Sequence, residues 1–395
     1  MIGFCLVVIK QGESMQSFSR LKICFLAGTL EHGGAERQLF YMLQALRARG
    51  VAVRVLCLNC GEFWEKPIQS LGVSVTWVGQ RQSRLARLVR VLREVRTDRP
   101  DVLQSQHFFA NAYVGVVAHL LGICGIGAMR NEGTAELRAN GPVGGRLNLR
   151  LAPFIAANSR LAIQQARAYG VSAASLCFLP NVIDTGLFRP GRNRAERPLT
   201  LLSVGRIVKA KRFDRFISAL GRLRSELKLD VRGWIAGPVQ DKGLRQELEA
   251  QSARLGLFPK HLQFLGRVSD IGPLYRRADV CVLSSDFEGT PNVLFEAMAS
   301  GLPVVATKVG DVPAIVLQGE TGFVVEKDDA DGLTAALAEL VKNEPRRIEM
   351  GHRARQYVEA HHSLERLPAY LEKLYDQVLA PQRPRSLGAI EESPA

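Results

Sequence analysis

Two successive series of short apolar runs, each run followed by a stretch of helical spacing, restrict this chain to a parallel α/β architecture. The first series is LKICFLAG, VAVRVLCL, VSVTWV, DVLQSQ and FIAAN; the second is LTLLSVG, VRGWIAG, LQFLG, VCVLSS and LPVVAT. Strands that are apolar throughout are covered on both faces, and the helices between them provide the cover and the parallel crossovers. Ligands of such sheets bind outside the carboxyl ends of the strands. Thr185–Pro198, rich in proline, glycine and arginine, reads as the linker between the two series. The expected organisation is a disordered extension at 1–20, doubly wound domains at 21–184 and 199–362 joined by the linker at 185–198, a helix at 363–380 and a disordered tail at 381–395. Met15 is an alternative start for the chain.

The stretch Ser284–Val305, SSDFEGTPNVLFEAMASGLPVV, joins two strands of the second series through a short helix. Thr290 suits the N-cap, where its hydroxyl can accept a free backbone N–H, and Pro291 suits the first helical position. Gly301 suits a left-handed stop, and Pro303 blocks continuation. Leu294, Ala297 and Met298 fall at helical spacing and can face a core. Glu288 precedes the helix; Glu296 lies on it, four residues after Asn292 and on the same side. A helix start draws anions, so two carboxylates around one need a reason. One account is a diphosphate at the helix start, with Glu296 accepting hydrogen bonds from nucleoside hydroxyls and Glu288 beside the group transferred. The other is that Glu288 favours the helix dipole and Glu296 is a solvated surface residue.

The run EGTPNVLFEAMASGLPVVAT resembles the E-x7-E block of family 4 glycosyltransferases, which are retaining enzymes of the GT-B fold. That resemblance implies two Rossmann-like domains facing each other across a cleft, with the C-terminal helix crossing back to the first, acceptor-side domain. It implies donor contacts at Glu288, Asn292, Val293, Leu294 and Glu296, with Glu288 by the donor sugar and Glu296 on the ribose. Arg206 and Lys211 in SVGRIVKAKRFD are two cations after a strand; the VGR followed five residues later by lysine resembles the family's diphosphate-binding pair. Gly33 and Gly34 in LEHGGAERQL resemble the first-domain glycine loop that helps to enclose the donor. FLGRV resembles the segment whose backbone contacts the base, at Arg267 or Val268, and PNVID (Pro180–Asp184) resembles the hinge that closes the first domain. An H-x-H pattern at the end of the fourth strand is common in the family, its second histidine near the reacting sugar. Here Gln104 and Gln106 occupy those positions and His107 follows, so either the loop shifts and His107 is the catalytic group, or Gln106 takes its place. Glutamine can donate a hydrogen bond but cannot act as a general base.

Asp329 and Asp331 form a D-x-D, the pair that holds a metal in glycosyltransferases of another fold. They precede GLTAALAELVK, where acids belong in a first helical turn, so no metal and no cofactor is expected. The seven cysteines are irregularly spaced; Cys57–Cys60 is one C-x-x-C without a second pair, and Cys57 reads as a strand residue, so a reducing compartment is inferred. The N-terminal apolar run of eight residues is too short to span a bilayer. The formal net charge of +14 is uneven: residues 1–190 carry 22 Lys+Arg against 11 Asp+Glu, and the remainder 30 against 27. Arg84, Arg87, Arg90 and Arg93 oppose Leu85, Leu88, Val89 and Leu92 on one helix, whose basic face is either plainly solvated or docks on an anionic membrane. No aromatic platform or nucleic-acid motif accompanies it.

These features, with the resemblance, imply a metal-independent, retaining hexosyltransferase. Its donor would be a nucleotide-diphosphate sugar, UDP before GDP, and its acceptor a lipid-linked or cell-surface saccharide. It would be cytoplasmic, at the inner face of the cell membrane. The rivals are another GT-B enzyme such as a nucleotide-sugar epimerase, active without an acceptor, and a non-catalytic nucleotide-binding protein.

Overall fold

A computed structural model describes residues 18–79, 83–130, 136–138, 140–191 and 198–380. The expected tail, most of the N-terminal extension and the middle of the linker, 192–197, lie outside them.

The first lobe alternates β1 (Lys22–Ala27), α1 (Gly34–Ala48), β2 (Ala52–Cys57), α2 (Glu65–Ser70), β3 (Ser74–Trp77) and α3 (Arg84–Asp98). It continues with β4 (Val102–Ser105), α4 (Asn111–Leu121), β5 (Cys124–Met129), α5 (Pro142–Arg150), β6 (Phe154–Ala157), α6 (Arg160–Ala168) and β7 (Leu176–Phe178). The second lobe begins with β8 (Leu199–Val204), α7 (Phe213–Ser225), β9 (Val231–Ala236), α8 (Lys242–Arg254), β10 (Leu262–Gly266), α9 (Gly272–Arg277) and β11 (Val280–Leu283). Then come α10 (Asn292–Ala299), β12 (Val304–Thr307), α11 (Val312–Ile315), β13 (Gly322–Val325), α12 (Ala330–Lys342) and α13 (Glu344–His361); α14 (Leu367–Leu379) closes the described chain.

The strands form two parallel sheets, ordered β3-β2-β1-β4-β5-β6-β7 and β10-β9-β8-β11-β12-β13. In each sheet the direction of winding reverses at one place, between β1 and β4 and between β8 and β11. Loops leaving the two strands on either side of such a reversal diverge and leave a crevice. The two-domain doubly wound architecture expected from the sequence is present, and α14 does cross back. Its Leu371, Leu374, Tyr375 and Val378 are buried in the first lobe's core with Leu39, Leu43 and Val102, and the Tyr375 hydroxyl donates to Gln104 at 2.7 Å.

Two local expectations fail. Pro291, not Thr290, is the residue before α10; it makes no side-chain cap, and the Thr290 hydroxyl donates instead to the Asn158 carbonyl of the first lobe at 3.0 Å. On α3 the buried side chains are Val91 and Val95, with Leu88 and Leu92 half-buried, while Leu85 is 69% and Val89 38% exposed. The apolar residues opposite the arginines therefore do not all face the sheet, because the helix turns a different edge inward.

His362, at the end of α13, pins the crossing. Its Nδ1 donates to the Asn181 carbonyl at 2.9 Å, its ring stacks on Phe295 at 4.2 Å, and the Ile183 N–H donates to its own carbonyl at 2.7 Å. Burial, with His361 beside it, pushes the imidazole down to about 4 despite the Asn181 bond. The folded state then resists a proton that the unfolded chain accepts at about 6.5. Stability from this residue is complete above pH 6.5 and is lost as the pH falls toward 4, by at most about 3 kcal/mol. Urea unfolding at pH 7.5 and pH 4.5 should show that loss shrink in His362→Asn; an equal loss in both proteins would refute the assignment.

Candidate active site

Both winding reversals carry residues singled out by sequence. At the second lobe's reversal, the loop after β8 and the loop after β11 are stitched together. The Asp286 N–H donates to the Ala210 carbonyl at 2.8 Å, and the Ser284 hydroxyl to the Arg212 carbonyl at 2.8 Å. Arg215 reaches Asp286 at 2.7 Å and Arg212 reaches it at 3.2 Å. Burial works against the charge of Asp286, but the two guanidinium groups more than offset it and hold the carboxyl below its ordinary value. Arg212 adopts a left-handed backbone, φ 47°, which turns the chain out of its short 3-10 turn into α7.

The product of this stitching is a close pair. Lys211 Nζ lies 2.5 Å from Glu288 Oε1, and the Ser285 hydroxyl donates to the same oxygen at 2.6 Å. The Lys211 stem runs along Gly205, where a Cβ would sit 3.2 Å from Lys211 Cε. Glu288 is held from behind: a Cβ on Gly310 would come within 2.1 Å of its carbonyl oxygen, and Gly310 has φ 51°. Arg206 leaves the same loop but is exposed and touches Gln240 at 3.4 Å. Arg267 is exposed and Val268 half-buried, just after β10, beyond Gly266.

The α10 residues fare differently. Leu294 is core, and its N–H is bonded to Pro291; Val293 packs at the core's margin. Glu296 is only 4% exposed, and both its oxygens are taken, one by Arg37 of the first lobe and the other by the Tyr275 hydroxyl at 2.7 Å. Its reading as a solvated surface residue is therefore wrong. Burial works against the charge of Arg37, yet Glu296 raises the guanidinium above its ordinary value; Arg37 also lies over the Phe188 ring. Asn292 joins the same seam, accepting from Asn181 at 2.8 Å and donating to the Gly34 carbonyl at 3.4 Å. A Cβ on Gly34 would sit 2.6 Å from the Asn292 amide nitrogen, so glycine there permits the lobes to meet. A further seam contact is Asp311, which accepts the Arg160 and Leu161 N–H groups at 2.6 and 3.0 Å. A cavity of about 270 Å3 opens beside it, lined in part by Asn158, Thr290, Phe295 and His362; neither Lys211 nor Glu288 lines it.

At the first lobe's reversal, His107 follows β4 and Gly28 follows β1. His107 Nδ1 accepts the Gly28 N–H at 3.1 Å, so the proton sits on Nε2 and is donated to Glu36 at 3.0 Å. Both ring nitrogens are thus hydrogen-bonded, and His107 pins the loop after β4 to the loop after β1 and to Glu36 of α1. Gln106 is fully buried and donates to the Ala35 carbonyl at 2.5 Å. A Cβ on Gly33 would strike the Glu36 carboxylate at 2.1 Å. The D-x-D acids have structural partners: Asp329 accepts the Gly332 N–H at 2.7 Å, and Asp331 meets Arg222 at 2.7 Å.

Sequence reasoning did not single out Glu36, Arg37, Tyr275, Asp286 or Asp311. The GGAER run holds two of them, but nothing local says that a charged residue on α1 ends on another lobe.

Residues 185–357 match the family described as "Glycosyl transferases group 1", and residues 32–187 match "Glycosyltransferase Family 4". The lipopolysaccharide core biosynthesis glycosyltransferase LpsE of Rhizobium meliloti is 26% identical over 351 residues, 87% of this chain and 96% of that protein. A GDP-mannose-dependent alpha-(1-6)-phosphatidylinositol monomannoside mannosyltransferase of Mycobacterium tuberculosis is 31% identical over 225 residues, 52% of this chain and 57% of that protein. The chain spans only 30% of one other curated relative and about half of others. Among solved structures, Anabaena HepE in complex with UDP superposes with a TM-score of 0.81 at 18% identity, over 90% of this chain and all of that one.

Proposed function

Since the chain belongs to the family 4 glycosyltransferases and has their two-lobed GT-B fold, we propose that it is a retaining transferase taking its sugar from a UDP-sugar. The observation that carries this reading is the Lys211–Glu288 pair at the second lobe's crevice. Loss of a nucleoside diphosphate builds negative charge on the phosphate oxygens in the transition state. A fixed ammonium in a partly buried site stabilises that charge at little reorganisation cost. Glu288 holds Lys211 in place until the donor arrives and then lies beside the transferred sugar. Arg206, still exposed in the adjoining loop, is available as a second phosphate ligand. Arg267 or Val268 would contact the base, the α10 start at Asn292 and Val293 would meet the diphosphate, and the Gly33–Gly34 loop would cover it. Glu296 reaches a ribose only after exchanging its Arg37 bond, so donor binding would be coupled to movement of the lobes. No metal is needed for this chemistry, because side-chain cations take its place. Front-face attack would retain the anomeric configuration.

UDP is favoured by the UDP complex of HepE, and GDP is the second choice because a GDP-mannose-dependent enzyme is among the relatives. A melting-temperature screen of UDP-, GDP- and ADP-sugars tests the reading. Ligand at a hundred times its Kd stabilises by about 2.7 kcal/mol, an upward shift of several degrees. No shift with any nucleotide sugar would overturn the assignment.

The acceptor in this reading is a lipid-linked saccharide at an anionic membrane face, supported by the relation to LpsE and by α3. That helix exposes Arg84, Arg93, Leu85 and Val89 together, and Arg90 lies over the half-exposed Trp77 ring at 6.0 Å. Among the described residues no helix is long and apolar enough to cross a membrane. Each cation near an anionic surface contributes about 1 kcal/mol, so Arg84→Gln with Arg93→Gln should weaken binding to phosphatidylglycerol vesicles about thirtyfold. Co-sedimentation measures it; unchanged binding would remove α3 from the contact.

A further inference from the structure

The 3-10 turn between β4 and α4, Phe108–Ala110, buries its first and last residues and turns out the middle one: Phe109 is 43% exposed. An exposed aromatic is ordinary on a surface, but this one is built in. Its ring tip lies over Gly28, where a Cβ would sit 2.0 Å from the ring, so only glycine leaves room for it. One ring face is stacked on His107, at 5.6 Å between centroids and 24° between planes. His107 is itself clamped between the Gly28 N–H and Glu36. The turn is anchored from behind, because Asn111 accepts the Ala128 N–H at 2.8 Å and donates to the Ala128 carbonyl at 3.0 Å. A rigid aromatic plate thus stands at the first lobe's winding reversal, beside the start of α1, whose Arg37 meets the second lobe.

We propose that Phe109 is the platform on which a pyranose ring of the acceptor stacks. The C–H-rich face of a sugar carries partial positive charge and meets the negative face of an aromatic ring, while its hydroxyls remain free to hydrogen-bond. Because His107 and Gly28 fix the ring beforehand, little rotamer freedom is lost on binding. Phe109 is a specificity-determining residue: it selects acceptors that end in a sugar ring over small polyols or hydroxy acids. This rests on the transferase reading, but its test stands apart from donor binding.

Saturation-transfer NMR with octyl β-glucoside and methyl hexopyranosides, with UDP present, tests it on the full chain. In the wild type and in Phe109→Trp the sugar-ring protons should be saturated, and in Phe109→Leu at least fivefold less. With a saccharide acceptor, Phe109→Leu should raise KM about tenfold with little change in kcat. The UDP-induced melting shift should survive in all variants. Three results overturn the proposal: equal sugar saturation in Phe109→Leu, saturation of the octyl chain alone, or loss of the UDP shift together with the sugar signal. A wild type without any nucleotide shift instead refutes the transferase reading, while the sugar-proton signal still decides for or against Phe109.

Discussion

Lys211→Ala is expected to lower the transfer rate about a hundredfold, the typical cost of removing one preorganised donor from developing negative charge. The loss should fall on kcat, since the ammonium acts most strongly when the phosphate oxygens gain charge. Two side effects can be separated from it. The substitution leaves the Glu288 carboxylate with the Ser285 hydroxyl and no cation, so some loop order is lost; Glu288→Gln with Lys211→Ala removes that unpaired charge without restoring the cation. Lys211→Arg keeps the charge but changes its geometry, and should retain more activity than alanine. Initial rates with the donor identified by melting shift measure all three. A Lys211→Ala enzyme within threefold of the wild type would show that leaving-group charge is met elsewhere, with Arg206 the next candidate.

Arg37→Met should destabilise the protein by about 3 kcal/mol, because it strands a buried carboxylate. Glu296 would keep only the Tyr275 hydroxyl, which cannot neutralise it. The pair also spans the lobes, so the variant should scatter as a more open particle in solution. Arg37→Met combined with Glu296→Gln removes both charges and should recover most of the stability, since the cost lies in the unpaired ion. Urea unfolding followed by tryptophan fluorescence reads the stability, and small-angle scattering the opening. If the single and double variants are equally unstable, the contact matters through packing of the Arg37 stem on Phe188 and not through charge.

The sequence and the structure agree where the signal is local. Strand β8, the Lys211 loop and helix α10 all lie where composition and spacing indicated. Strand β5 was not recognised, because CGIGAM contains two glycines, which strands usually avoid. The structure uses them: a Cβ on Gly127 would be 2.6 Å from Ile155 Cδ1, and one on Gly125 would be 2.8 Å from Ala118 Cβ. Close packing of β5 against its neighbours overrides propensity there. The Thr290 cap failed for a similar reason, since its hydroxyl finds a partner on the other lobe.

Sequence alone therefore determined the order of the strongly apolar strands, the two-lobed architecture and the loops at which chemistry could gather, but not β5, β7 or β13. Each depends on periodicity, turn residues and short motifs, which act over a few positions. Tertiary structure alone decided which charges meet. Arg37 and Glu296 are 259 residues apart, His107 and Glu36 71, and Lys211 and Glu288 77. The Lys211 and His107 pairs form where crossovers return distant segments to one crevice, and the Arg37 pair where helices of the two lobes meet; no local pattern encodes which segments those are. Burial then makes each pairing consequential, because a carboxylate taken from water must find a partner within the fold.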